Sequence, residues 1–246
     1  MSKTSGRPGT NQHTTNGVDK GVKSLPDDKT PNSESPPGLL DREWDLHHTQ
    51  FGETPIDEDV REFLTLAFRD IETKDELNFA ESNNIATAAE WLEANPFSTH
   101  DELLDQTVLR MLHRRMFGEV WTWAGQIRVR ETNLGVDPHQ IVIQWEDALR
   151  DAKWQITNST YEPAEICVRL HRRMLAIHCF PNGNGRHARL VANELGRLLG
   201  LGDNPFSWGA EAGRGREEEL RRKYLDALHL ADSNGDFAPL VAIALS

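Results

Sequence analysis

Apolar residues recur at helical spacing along most of the chain beyond residue 56. Val60, Phe63/Leu64, Ala67 and Ile71 predict a first amphipathic helix. Ile85, Ala88/Ala89 and Leu92 predict a second, stopped near Pro96. Ser98-Thr-His-Asp101 offers a cap for one long helix with Leu104, Val108, Leu112 and Met116 as its buried stripe. Pro138 opens a helix that turns Ile141, Trp145, Ala148/Leu149, Ala152 and Ile156 inward. Pro163 opens another, with Ile166, Leu170, Met174 and Ile177. Leu190/Val191, Leu195 and Leu198/Leu199 continue to Gly200, a C-cap residue. After a Gly/Pro/Trp loop (200–214), Leu220, Tyr224, Ala227/Leu228 and Ala231 mark a further helix, and Asp236 and Pro239 open a short apolar one. The period changes once: Ile127 and Val129 alternate with Arg128 and Arg130, which predicts a short hairpin. The pattern is an all-α domain over residues 50–246 with one hairpin arm.

Residues 1–38 hold Ser, Thr, Asn, Gly, Pro and mixed charge with hardly an apolar side chain, so they cannot offset their ordering entropy. We read residues 1–49 as a disordered polar tail and lead-in. The adjacent His47-His48 lacks the spaced companions of a metal site. A formal net charge of −12 argues against direct nucleic-acid or membrane-surface binding. No apolar run reaches the ~20 residues a membrane span requires. The two cysteines, Cys167 and Cys179, lie too far apart along one predicted helix to pair, which fits a reducing cytoplasm.

The chemistry concentrates between the helix ending at Ile177 and the one leading to Gly200, in His178-Cys-Phe-Pro-Asn-Gly-Asn-Gly-Arg-His-Ala-Arg189. Pro181 and two glycines interrupt the helix, and a helix start after a Gly-rich loop points N–H groups at an anion. Gly183 and Gly185 let the backbone approach phosphate oxygens. Arg186 and Arg189, three apart, can present two guanidinium forks from one side. Asn184 offers an amide donor to a developing negative charge. His178, at the other lip, is the candidate general base. A histidine alone ordinarily fills a helix end, Gly-Asn-Gly alone is ordinarily a turn, and two arginines alone are ordinarily a solvated face. Their conjunction within twelve residues points to moving a phosphoryl-type group. Phe180 reads as a buried anchor and His187 as a variable helix-face position.

This stretch resembles the Fic (Fic/Doc) family motif, His-x-Phe-x-Asp/Glu-Gly-Asn-Gly-Arg-x-x-Arg, at His178, Phe180, Gly183, Asn184, Gly185, Arg186 and Arg189. Asn182 stands where the family has an acid. Trp123-Ala-Gly-Gln-Ile-Arg128 and the segment after it resemble the family's flap, which implies target docking by Arg128, Thr132, Asn133, Leu134 and Gly135. Glu76-Leu-Asn78, Asn84-Ile85 and Gly135-Val-Asp-Pro-His-Gln-Ile141 are similar to the subgroup called mobile mystery protein B.

The resemblance implies a protein adenylyltransferase that moves AMP from ATP to a Ser, Thr or Tyr hydroxyl of a target protein or of itself. Mg²⁺ or Mn²⁺ would serve as cofactor, with Asn182 as a neutral metal ligand. Gly185 stands where the Doc branch has a lysine, which favours adenylyl over γ-phosphoryl transfer. Phe79-Ala-Glu-Ser-Asn-Asn84 resembles the family's inhibitory helix, so Glu81 is a candidate to pair with Arg189; its other reading is a solvated glutamate at a helix start. The alternative function is a catalytically impaired nucleotide-binding regulator, or a toxin held by an antitoxin partner.

Overall fold

The computed structural model describes residues 61–132, 134–208 and 217–246. The polar tail, His47-His48, Val60 and Asn133 lie outside the described residues. The fold is all-α, and no described helix is long and apolar enough to cross a membrane.

The first described helix, α1 (Lys74–Ala94), begins eleven residues before the apolar pattern that marked it. A capping box explains the early start. The Glu76 N–H donates to Thr73 Oγ1 at 3.3 Å, and the Thr73 N–H donates to Glu76 Oε2 at 3.1 Å. The single long helix expected from Ser98 is two. Thr99 caps the short α2 (His100–Leu103), the chain breaks at Leu104, and Asp105 caps α3 (Gln106–Phe117). Asp105 Oδ1 takes the Thr107 and Val108 N–H groups at 2.8 and 3.2 Å, a second N-cap that wins over continuation.

α4 (Ile141–Thr157), α5 (Pro163–Ile177), α6 (Asn184–Leu198), α7 (Glu217–Asn234) and α8 (Ala238–Leu245) follow the predicted stripes. α5 and α6 pack together as the centre of the domain, with α4 against α5. Trp145 and Phe180 are among the largest fully buried side chains in this core. A second apolar cluster joins α1 to α3 through Ala80, Ala88, Met116, Phe117, Val120 and Trp121.

Two expectations fail. Of the helix predicted over 60–71, the described residues after Arg61 form only a 3₁₀ turn, Leu66–Phe68, after a bridge between Leu64 and Trp121. Thr65 N–H donates to Val120 O at 2.9 Å and Thr122 N–H to Phe63 O at 2.9 Å, so this backbone pairs across the chain rather than within a helix. The predicted hairpin forms no strand among the described residues, and its alternation breaks at Arg128 and Val129. Arg128 is 4% exposed whereas Val129 is 86% exposed. The guanidinium turns inward because it has backbone carbonyls to satisfy there, as the site shows.

Candidate active site

α5 ends on His178, whose backbone is left-handed at φ 54°, ψ 64°. A residue with a Cβ adopts that conformation at a cost of roughly 1–2 kcal/mol, so its surroundings must hold it. Arg128 does so. Its Nε donates to His178 O at 2.6 Å, Nη2 to Val136 O and to Ile177 O at 3.4 Å, and Nη1 to Arg130 O at 3.1 Å. Its own N–H donates to Cys179 O at 3.0 Å. Arg128 was expected to dock a target; it instead caps the carboxyl end of α5 and straps the 126–136 segment to it.

The same segment crosses His178 at Gly135. A Cβ there would lie 2.5 Å from His178 Cβ and 2.6 Å from Arg128 Nη2, and φ is +94°. Of the other residues expected in the flap, Thr132 is exposed and donates through its hydroxyl to Leu134 O, and Leu134 is half-buried. His178 is itself 5% exposed, and burial, then the Arg128 charge, push its imidazole down to about 4. The ring is therefore neutral at physiological pH, the form that can accept a proton.

Phe180 is the anchor of the loop. It stacks on His113 with centroids 3.7 Å apart and meets Trp145 and His187 edge-on. Asn184 closes the loop around it: the Phe180 N–H donates to Asn184 Oδ1 and Asn184 Nδ2 donates to Phe180 O, both at 2.9 Å. The amide expected to face a ligand is thus spent on the loop's own backbone, and Asn184 is 5% exposed. His187, expected on a variable face, is buried, with Nε2 2.9 Å from Leu109 O. Both cysteines are buried; desolvation raises both thiols, that of Cys167 to about 12, so neither is a ready nucleophile.

α6 opens at Gly183 (φ 77°) without a side-chain cap, leaving its first N–H groups directed out of the helix end. A Cβ on Gly183 would lie 2.6 Å from the Phe117 ring. Asn182 Oδ1 accepts the Gly183 N–H at 2.6 Å. Gly185 is half-buried in the first turn.

The two arginines do not share one face. Arg186 Nη1 meets Glu81 Oε2 at 2.7 Å and lies 4.7 Å over the Phe117 ring. Arg189 lies 5.8 and 5.9 Å from the Trp208 and Tyr224 rings. Three residues advance about 60° around a helix, enough to send one guanidinium toward α1 and the other toward α7. Glu81 therefore pairs with Arg186, not with Arg189 as expected. It is not a solvated glutamate either: it is 4% exposed, and Trp121 Nε1 donates to Oε1 at 2.5 Å. Asn84, one turn on, fixes α1 to α3, with Nδ2 to Arg115 O at 2.9 Å and Oδ1 accepting the Glu119 N–H at 3.0 Å.

The sequence reading missed His113 and Trp121, and named Asn84 only within family patterns without a role of its own. His113 had a signal, since it lies four residues from both Leu109 and Phe117 and so belongs to the apolar face of α3. A cleft of about 650 Å³ lined by Thr107, Arg110, Arg114, Trp121 and Gln126 contains no residue of 178–189. The motif remains the candidate on its chemistry, and beside α6 Glu81, Arg186 and Phe117 pack against one another.

No group of three His, Cys, Asp or Glu among the described residues could hold a metal ion. At the motif the chain offers one neutral carbonyl, Asn182 Oδ1, already accepting a hydrogen bond. These donors do not make a protein-held Mg²⁺ site, which ordinarily includes one or two carboxylates.

Residues 103–195 match the family model described as Fic/DOC family. Protein adenylyltransferase fic-1 of Caenorhabditis elegans is 31% identical over 149 residues, 58% of this chain and 26% of that protein. Its Caenorhabditis briggsae counterpart is 30% identical over the same shares. The chain thus spans about a quarter of the length of the curated relatives it matches. A solved structure of C. elegans Fic-1 superposes with a TM-score of 0.51 at 26% identity, covering 66% of this chain and 45% of that one. The BepC protein of Bartonella tribocorum, solved with bound AMPPNP, shares the fold at a TM-score of 0.54 and 16% identity, over 74% and 94%. With the uncapped helix start, the two arginines and the histidine before them in place, residues 103–195 of this chain are a Fic/DOC family domain.

Proposed function

We propose that the protein is an adenylyltransferase that moves AMP from ATP to a Ser, Thr or Tyr hydroxyl of a protein, and that Glu81 restrains it. The observation that carries this reading is a buried neutral imidazole, His178, immediately before a helix N-terminus flanked by Arg186 and Arg189. The curated relatives' activity and the nucleotide in the BepC structure support it.

In the proposed step a ring nitrogen of His178 takes the hydroxyl proton while that oxygen bonds to the α-phosphorus. The bond from the α-phosphorus to the bridging oxygen breaks, and pyrophosphate leaves with the electron pair. The N–H groups opening α6 and the Arg189 fork hold the phosphates, joined by the Arg186 fork once Glu81 releases it. Because Asn182 is a neutral donor, Mg²⁺ or Mn²⁺ would enter on the nucleotide's own oxygens, and no step is assigned to it. Gly185 stands where the Doc branch carries a lysine, and by that resemblance attack at the α-phosphorus is favoured over the γ-phosphorus.

The test incubates the full chain with ATP labelled at the α-phosphate and Mg²⁺ or Mn²⁺. Label on protein that disappears in His178→Ala is the expected result. ATP binding without transfer, with either metal and in Glu81→Gly, would instead favour a nucleotide-binding regulator.

A further inference from the structure

His113 lies in α3 with no exposed surface, and its two ring nitrogens reach two segments far apart in the chain. Nδ1 lies 3.0 Å from the Gly125 nitrogen, at the root of the segment that runs to Arg128. A backbone N–H can only donate, so Nδ1 is the acceptor and the ring proton sits on Nε2. Nε2 then donates to Asn182 O at 3.0 Å, in the loop between His178 and α6. Both partners are main-chain atoms, so the ring sets backbone positions and not merely rotamers.

The surroundings leave the ring no alternative placement. It stacks on Phe180 at 3.7 Å and lies edge-on to His187 at 5.3 Å. Gly125 is held from its other side as well, where Arg110 Nε donates to its carbonyl at 3.0 Å. Its φ is +75°, and a Cβ would lie 2.8 Å from Arg110 O and 2.9 Å from Arg114 Cβ. Only glycine lies this flat against α3. From Gly125 the chain runs three residues to Arg128, which grips His178 O.

We infer that His113 is a positioning residue, a strut that ties the root of the 125–136 segment to the motif loop and so keeps His178 in register with the opening of α6. Protonation would place a second N–H against the Gly125 N–H and break one side of the strut. The consequence for transfer rests on the adenylyltransferase reading; the strut itself does not.

Three variants of the full chain separate its two ends. His113→Phe keeps a stacking ring and loses both bonds. His113→Asn keeps an acceptor near Nδ1 and loses the donor. His113→Gln keeps a donor near Nε2 and loses the acceptor. Amide hydrogen exchange is followed by mass spectrometry in peptides covering 123–128 and 179–186. Losing one such bond should speed exchange about tenfold in the segment it held. The Phe variant should show this in both segments, Asn mainly in 179–186 and Gln mainly in 123–128.

Label transfer should fall through kcat in Asn and through KM for the acceptor protein in Gln. If Phe does not fold, the contrast between Asn and Gln carries the result. Exchange within about twofold of the parent in both segments, or a rise spread evenly over the domain in every variant, would overturn the strut. The segment-specific pattern in a parent chain that transfers no label would uphold the strut and reject the adenylyltransferase reading.

Discussion

Glu81 and Arg186 meet at 2.7 Å across 105 positions of sequence, joining α1 to the first turn of α6. The carboxylate is held twice, by Arg186 on Oε2 and by Trp121 Nε1 on Oε1. A guanidinium engaged this way is not available to a phosphate. Glu81→Gln should keep the Trp121 bond and release Arg186, raising label transfer and auto-modification. It should also lower stability by roughly 1–3 kcal/mol, the cost of a mostly buried group losing its partner. Transfer rates and thermal melts of the two chains check both; an unchanged rate in a folded variant rejects the restraint.

His178 should govern the acid limb of transfer. Removing it as His178→Ala should cost ~10²–10⁴-fold in rate. Because burial pushes its imidazole down to about 4, the limb should fall near that pH and not near 6.5. Rates between pH 5.5 and 8 should therefore be nearly flat with respect to this group. A titration near 6.5 that vanishes with His178→Ala would contradict the buried neutral base.

Acid should unfold the domain early. His178 and His187 are pushed down to about 4, His171 to about 3 and His113 well below its usual value, desolvation being the largest cause in each. An unfolded histidine titrates near 6.5. Between that pH and the folded value the unfolded chain binds more protons, so stability is full above about 6.5 and is lost as pH falls. Each group contributes up to about 1.4 kcal/mol per pH unit. Chemical denaturation midpoints should drop steeply from pH 6.5 to 5, and a flat profile there would refute the buried neutral set.

Gly135→Ala should separate function from folding. The new Cβ would meet His178 Cβ at 2.5 Å at a φ of +94°, so the segment must lift off the histidine. The strain should cost about 1–3 kcal/mol, while transfer should fall at least tenfold, a loss of alignment at the base. Retained transfer with an intact melt would mean that this crossing does not position His178.

Asn182→Asp should sharpen metal dependence. The aspartate would keep an acceptor for the Gly183 N–H, now 2.6 Å from Asn182 Oδ1, and add charge beside the phosphates. The Mg²⁺ concentration for half-maximal transfer should fall on the order of tenfold. The same requirement before and after the change would place the metal away from this residue.

Helix α5, the motif loop and α6 were legible because their signals are local. Leu170 and Met174 repeat at helical spacing, Pro163 starts a turn, and Gly183 permits φ 77°. The failures share a cause. The period-two pattern at 127–130 predicted a short hairpin, yet no strand forms there and Arg128 is buried because four main-chain carbonyls await it. The helix over 60–71 gave way to pairing with Val120 and Thr122, partners more than fifty positions away.

The chain order alone therefore determined the helical class, the place of the loop and the inventory of base, glycines and guanidiniums, since each follows from neighbours within about one helical turn. Only the tertiary structure decided which groups meet. Glu81 reaches Arg186 because 60° of helix rotation turns Arg189 toward α7 instead. Asn184 serves the loop and His113 joins two segments because burial obliges each polar atom to find a partner, and packing sets which partner is within reach.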